Sequence, residues 1–241
     1  MIKLLSYNLS RCQNFSITKC VNDIFKLDVD IIALQEVLHT KTKNISKLLS
    51  NKLKGDYRFL TTVKTRQGQL YGISLISKYP ILDNQTIIFK NQKTENRGLL
   101  GIKVKIRSEV YWVLNTHLQW DKKWDKKTDT FPTITDKQLG EIYHICHNLY
   151  PKNKIILMGD LNITPEKTSI KKLYKIFRRY NLAESTYSVK KPEYIIDYIL
   201  ISKNIRYNID TSIINYRLSN HRPVLSKLTT TNSRKMLRKT T

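Results

Sequence analysis

The sequence predicts an α/β fold in which β-sheet forms the core and a few amphipathic helices cover it. Three observations carry this. Short apolar runs bounded by polar residues recur from end to end, and helical stripes are interspersed among them. Hydrophobic residues make up 40% of 241 residues, enough to bury a sizeable core. No composition break or repeat interrupts the pattern before about residue 228.

The elements follow in order. Ile2 to Asn8 reads as a strand. Ile17, Cys20, Val21, Ile24 and Phe25 are spaced as one face of an amphipathic helix. Asp30-Ile31-Ile32-Ala33-Leu34 is a short continuous apolar run, expected of a strand buried on both sides, with Glu36 at its C-terminal end. Ile45, Leu48, Leu49 and Leu53 mark a second helix. Strands are expected around Tyr57–Thr62, Gly72–Ser77, Ile81–Phe89, Leu99–Ile106 and Val110–Asn115. After a long polar loop, Leu139, Ile142, Cys146 and Leu149 share one helical face. Ile155–Met158 is a strand, and Ile170, Leu173, Tyr174 and Phe177 form another helical face. Strands at Ile195–Ile201, Arg206–Ile214 and Pro223–Leu228 close a single domain over residues 1–228. Residues 229–241 contain Arg234, Lys235, Arg238 and Lys239 and no acid, the pattern of a solvated, disordered basic tail.

Lys and Arg number 43 against 19 Asp and Glu, for a net charge of +24. An AT-rich genome favours Lys, Asn and Ile codons, yet the acidic codons tolerate AT-richness comparably, so much of the excess is physical. Such a chain is drawn to polyanions: nucleic acid, anionic lipid or polyphosphate. No apolar run is long enough to span a membrane, and the N-terminus lacks the apolar length of a signal peptide. Cys12, Cys20 and Cys146 are too few for a disulfide framework. These features predict an intracellular monomer. His144-Ile145-Cys146-His147 has a faint metal-site look, but Cys146 falls on the apolar helix face while the histidines point elsewhere, so no zinc is expected.

Polar residues recur where apolar strands end. Asn8, Glu36, Asn115-Thr116-His117, Gly159-Asp160-Leu161-Asn162 and Ser219-Asn220-His221 all stand at such places, and Asp197 interrupts Ile195–Leu200. A carboxylate in so apolar a strand is costly unless paired. Together the placements imply one polar pocket at the rim of a sheet core.

In their order these segments resemble the exonuclease–endonuclease–phosphatase superfamily, the DNase I-like fold. The carrying segments are Ser6-Tyr7-Asn8, Leu34-Gln35-Glu36-Val37, Tyr71-Gly72, Ile76-Ser77-Lys78-Tyr79-Pro80-Ile81 and Asn96-Arg97-Gly98, then Asn115-Thr116-His117-Leu118, Gly159-Asp160-Leu161-Asn162, Ile196-Asp197-Tyr198-Ile199 and Ser219-Asn220-His221-Arg222-Pro223. The resemblance covers residues 2 to 228 and implies a four-layer α/β/β/α sandwich of two packed, mostly antiparallel sheets. It also implies in-line hydrolysis of a phosphoester without a covalent intermediate. Glu36 looks like the main ligand of Mg²⁺ or Mn²⁺, with Asn8 assisting through its amide oxygen and Asn220 in the slot of a third metal-linked residue. Asp160 and Asn162 look like the pair that orients and deprotonates the attacking water. His221, backed by Asp197, would contact the phosphate or protonate the leaving group, and His117 would be the second phosphate-contacting histidine. Tyr71 and Arg97 would contact or position the phosphate.

Departures narrow the range. Class II abasic-site endonucleases and tyrosyl-DNA phosphodiesterases favour Asp at the position of Ser10, and the former favour Tyr at that of His117. His117 resembles instead the DNase I, sphingomyelinase and inositol-phosphatase side. The loop Gln119-Trp120-Asp121-Lys122-Lys123-Trp124-Asp125-Lys126-Lys127 interleaves tryptophans with lysines, so Trp120, Lys122, Lys123 and Trp124 are expected to contact nucleic acid. The family normally ends Ser-Asp-His, whereas this chain has Ser219-Asn220-His221, which removes one negative charge. A Mg²⁺-dependent nuclease is the leading expectation. A lipid or inositol-phosphate phosphoesterase and a non-cutting nucleic-acid-binding relative are the alternatives.

Overall fold

The computed structural model describes residues 1–12, 16–40, 44–66, 68–93, 95–121, 132–179, 182, 184–216 and 218–230. Eleven strands form two sheets among these residues. They are β1 (Ile2–Asn8), β2 (Ile31–His39), β3 (Asp56–Lys64), β4 (Leu70–Ser77), β5 (Ile81–Ile88), β6 (Gly98–Ile106), β7 (Glu109–His117), β8 (Lys154–Asp160), β9 (Asp197–Ile201), β10 (Tyr207–Ile213) and β11 (Val224–Thr230). One sheet runs β10-β11-β1-β2-β4-β3 and the other β5-β6-β7-β8-β9. Only β1–β2 and β7–β8 pair in parallel. The mostly antiparallel four-layer sandwich expected from the sequence is therefore what forms.

The period-2 alternation of each strand explains the layers. Ile2 and Leu4 of β1, Ile31 and Ala33 of β2, Tyr111 and Val113 of β7, Ile156 and Met158 of β8, and Ile199 and Ile201 of β9 fill the space between the sheets. Their neighbours face outward. Leu5, Tyr7, Ile32 and Leu34 pack beneath α1 (Ile17–Lys26) and α2 (Ile45–Leu53). Leu114, Ile155, Leu157, Tyr198 and Leu200 pack beneath α3 (Ile134–Leu149). A capping box starts α3: Thr133 accepts from the Asp136 backbone, and Asp136 accepts in return. Cys146 is buried on its inner face, and burial pushes its thiol up to about 12.

Four expectations change. β2 does not stop before Glu36 but continues to His39, because an extra residue bulges between Leu34 and Val37 and leaves Glu36 with a φ of 49°. Asp197 opens β9 rather than interrupting a longer strand: the Ile196 and Asp197 amides donate to Thr186 Oγ1 instead of to a neighbouring strand. The stripe at Ile170 is a 3₁₀ turn, Ile170–Lys175, cut short where Phe177 bridges Ser202. β11 extends to Thr230, two residues into the expected tail, because Thr229 and Thr230 pair with Asn208 and Tyr207.

Candidate active site

The inter-sheet face turns polar at one end of the sandwich. Continuing the inward alternation of β1 past Ile2 and Leu4 gives Ser6 and Asn8; that of β7 past Tyr111 and Val113 gives Asn115 and His117. β8 ends inward on Asp160, and β9 begins inward on Asp197. Register completes the alignment, since His117 pairs with Asp160 across β7–β8 and Asp160 with Asp197 across β8–β9. Gly159 makes this row available. Its φ is 139°, and a Cβ there would stand 2.0 Å from the Thr116 carbonyl oxygen, so no other residue fits beside β7 immediately before Asp160.

Asn115 fastens the two sheets beneath the bulge. It donates to the carbonyls of Leu34 and Ser74 at 2.9 and 2.8 Å and accepts from Gln35 Nε2 at 2.8 Å. Those backbone groups would otherwise be left unpaired by the extra residue in β2. Glu36, directly after Gln35, is thereby presented at the open end.

The resulting cleft, about 310 Å³, is lined by Arg11, Glu36, Glu95, Arg97, His117, Gln119, Trp120, Asp160, Asn162, Tyr187, Ile196, Asn220 and His221. Asp160 is its centre. Its Oδ1 accepts from the Asn162 backbone at 2.9 Å, and its Oδ2 from Asn8 Nδ2 at 2.9 Å. Both histidine Nε2 atoms face the same Oδ2, His117 at 3.6 Å and His221 at 3.7 Å. These separations exceed hydrogen-bond length, so both imidazoles stand beside the carboxylate without bonding to it.

The two imidazoles are prepared differently. Arg97 Nη1 lies 2.7 Å from His117 Nδ1, and a guanidinium can only donate, so the proton of a neutral His117 sits on Nε2. Burial, then the Arg97 charge, hold His117 well below its usual range. His221 Nδ1 instead donates to Asp197 Oδ2 at 2.9 Å. Burial lowers it, but the charge and hydrogen bond of Asp197, joined by the charges of Asp160 and Glu36, lift it to about 9. Burial and the Asp197 charge push Asp160 up to about 7. The site thus holds one neutral imidazole, one cationic imidazole and a carboxyl poised near neutrality.

Over this centre lies a chain of ion pairs. Arg97 Nη2 donates to Glu95 at 2.9 Å, Glu95 accepts from Arg11 Nη2 at 2.7 Å, and Arg11 Nε reaches Glu36 Oε2 at 3.3 Å. Sequence reasoning missed Arg11, Glu95, Gln119, Tyr187 and Ile196. Glu95 neighbours the Arg97 motif and was findable there; nothing near Arg11 signals its role.

The structure brings Asn8, Glu36, Arg97, His117, Asp160, Asn162, Asp197, Asn220 and His221 to one end of the sandwich. Three of the expected site residues meet other partners in this structure. Asn8 gives its oxygen to the Ser10 amide at 2.9 Å and turns its NH₂ to Asp160 and, at 3.4 Å, to Glu36 Oε1, so here it orients two carboxylates. Tyr71 does not line the cleft: its hydroxyl donates to Gln69, and its ring lies 5.8 Å from the Arg11 guanidinium carbon. Arg97 is committed to His117 and Glu95 rather than free for phosphate. Asn220 is exposed at the cleft wall, its Oδ1 accepting from Ser219 Oγ. Trp120 is 49% exposed at the mouth. Lys122, Lys123 and Trp124 lie outside the described residues.

The donor set fits a hard divalent cation. The Glu36 and Asp160 carboxylates flank one amide, and hard oxygen donors of this kind suit Mg²⁺ or Mn²⁺. Asp160, Asp197 and His221 also form a compact group with ligand atoms within 4.8 Å of one another. In that group His221 Nδ1 and Asp197 Oδ2 already bond each other, which makes it a proton-holding relay rather than an open cradle.

Comparisons with known proteins show the same fold elsewhere. SmcL matches with a TM-score of 0.74 and 20% identity, over 95% of this chain and 98% of that one. Sphingomyelinase C from Streptomyces griseocarneus matches with a TM-score of 0.69 and 16% identity, over 95% and 99%. A beta toxin variant from Staphylococcus aureus with bound magnesium ions matches with a TM-score of 0.71 and 20% identity, over 93% and 98%. No curated protein sequence matches the chain. The model of the Endonuclease/Exonuclease/phosphatase family matches residues 5–221. The chain belongs to that family, whose members are metal-dependent phosphoester hydrolases.

Proposed function

We propose that this protein is a divalent-metal-dependent nuclease, hydrolysing the phosphodiester backbone of DNA or RNA. The observation that carries the reading is Asp160 Oδ2, ringed by Asn8 and two histidines in opposite protonation states, in a cleft open at one end of a chain of charge +24. Asp160 orients the attacking water and accepts its proton. His117, with its proton on Nε2, donates to a non-bridging phosphate oxygen. His221, cationic beside Asp197, contacts the phosphate or protonates the leaving oxygen. Asn162 holds Asp160 Oδ1 so that Oδ2 faces the substrate. Glu36 would hold the divalent cation, which when bound would supply charge neutralisation at the phosphoryl group. Net positive charge and the exposed Trp120 support a polymeric anion with bases to stack.

A second reading, hydrolysis of a lipid phosphodiester, is favoured by the likeness in fold to a sphingomyelinase C. The test is a plasmid and RNA cleavage assay with Mg²⁺ and with Mn²⁺, beside a panel of sphingomyelin and inositol phosphates. Cleavage of nucleic acid that falls by roughly 10²-fold in Asp160→Ala supports the nuclease. Activity confined to the lipid moves the assignment to the second reading. A salt-sensitive shift of nucleic acid without cleavage in either metal points to a binding relative that does not cut.

A further inference from the structure

Glu36 is not an open ligand. Its Oε2 is 3.3 Å from Arg11 Nε, and its Oε1 is 3.4 Å from Asn8 Nδ2, so each carboxylate oxygen already faces a donor. The arginine reaches this place through unusual backbone. Ser10 and Arg11 both take left-handed conformations, with φ of 48° and 61°, and Glu36 itself has a φ of 49°. Consecutive non-glycine residues held there mark a segment whose position is maintained at an energetic cost, a pattern that clusters at functional sites. The turn is fixed by the Ser10 amide donating to Asn8 Oδ1. Arg11 also has a second anchor, Glu95 at 2.7 Å, and a third surface, the Tyr71 ring at 5.8 Å.

We propose that Arg11 is the built-in counter-cation of Glu36, competing with the divalent metal for that carboxylate and yielding to it by turning about its Glu95 anchor. The proposal rests on the reading of Glu36 as the metal ligand. A guanidinium and a metal ion cannot share one carboxylate face at contact distance without strong repulsion. With Glu36 occupied by metal, the arginine remains tethered to Glu95 at the cleft wall, where its freed Nε faces substrate phosphate. Arg11 thus spares the metal-free protein an uncompensated carboxylate beside the raised Asp160. It also makes metal binding and the release of a phosphate-gripping arginine one linked event.

The experiment is a titration of the full chain with Mn²⁺ in the absence of substrate, by calorimetry and by the loss of the free-ion electron paramagnetic resonance signal. Arg11→Gln should bind Mn²⁺ roughly tenfold more tightly than the natural protein, because a competing positive charge is gone. Arg11→Lys, which keeps the charge, should stay close to the natural affinity. In the cleavage assay Arg11→Gln should raise KM for phosphodiester at saturating metal. Equal or weaker Mn²⁺ binding by Arg11→Gln, in a variant that melts as the natural protein does, overturns the proposal. If Arg11→Gln does not fold, Arg11→Ala takes its place: tighter Mn²⁺ binding than by the natural protein supports competition, and equal or weaker binding overturns it. Absence of Mn²⁺ binding in every form overturns the metal-site reading itself, and this proposal with it.

Discussion

Replacing Asp197 by Asn removes a charge but nearly no volume, and its effect should reach both sides of the cleft. His221 is lifted from 6.5 to about 9 by Asp197, against the downward push of burial. At pH 7.5 that imidazole is about 97% protonated, and a shift of this size corresponds to about 3 kcal/mol between its two protonation states. Without the Asp197 charge the largest upward pull on it is gone and burial drives it down, so a smaller share of it is protonated at pH 7.5. Population alone then lowers the rate at that pH, before any loss of orientation. Asp160 moves in the same direction, because the Asp197 charge is, after burial, what raises it to about 7. The natural protein should therefore show a bell-shaped kcat/KM profile, with an alkaline limb near 9 from His221 and an acid limb at or below 7 from Asp160, metal binding pulling the latter down. In Asp197→Asn the whole bell should slide toward acid. The assay is a pH–rate series on a small chromogenic phosphodiester, with the His221 ring titration followed by NMR. An alkaline limb that stays near 9 in the variant would refute the relay.

Two further outcomes follow from the same geometry. Asn115→Leu leaves the Leu34 and Ser74 carbonyls and the Gln35 amide buried without their partner. It should cost roughly 2–4 kcal/mol in urea unfolding and weaken Mn²⁺ binding through the displaced Glu36, whereas unchanged stability would mean that the sheets do not depend on this fastening. Without metal, the raised His221 contributes stability that is complete below 6.5 and is lost as pH rises through about 9. Asp160, raised from 3.8 to about 7, favours the folded state progressively less across that earlier interval. Urea midpoints in EDTA should accordingly fall between pH 6.5 and 9, and His221→Gln should flatten that part of the curve; a slope that persists in the variant would assign it to other groups.

Layer order and the end of the sandwich that carries chemistry were legible in the chain itself. Period-2 alternation assigns each strand residue to a face, so the switch from Val113 to Asn115 and His117, or from Met158 to Asp160, marks a core that becomes polar at one end. Asp197 was legible for a related reason: an ionisable group in an apolar run demands a partner, and His221 is that partner. Local sequence does not specify which long side chain bends toward which. Arg11 looks like any surface arginine, and only the left-handed turn after β1 swings it onto Glu36 and Glu95. The direction of the Asn8 amide, the withdrawal of Tyr71 from the cleft and the commitment of Arg97 to His117 were likewise decided by packing. Periodicity determines the face on which a residue lies. The donor its side chain meets there is set by strands distant in sequence, through register and one extra residue in β2.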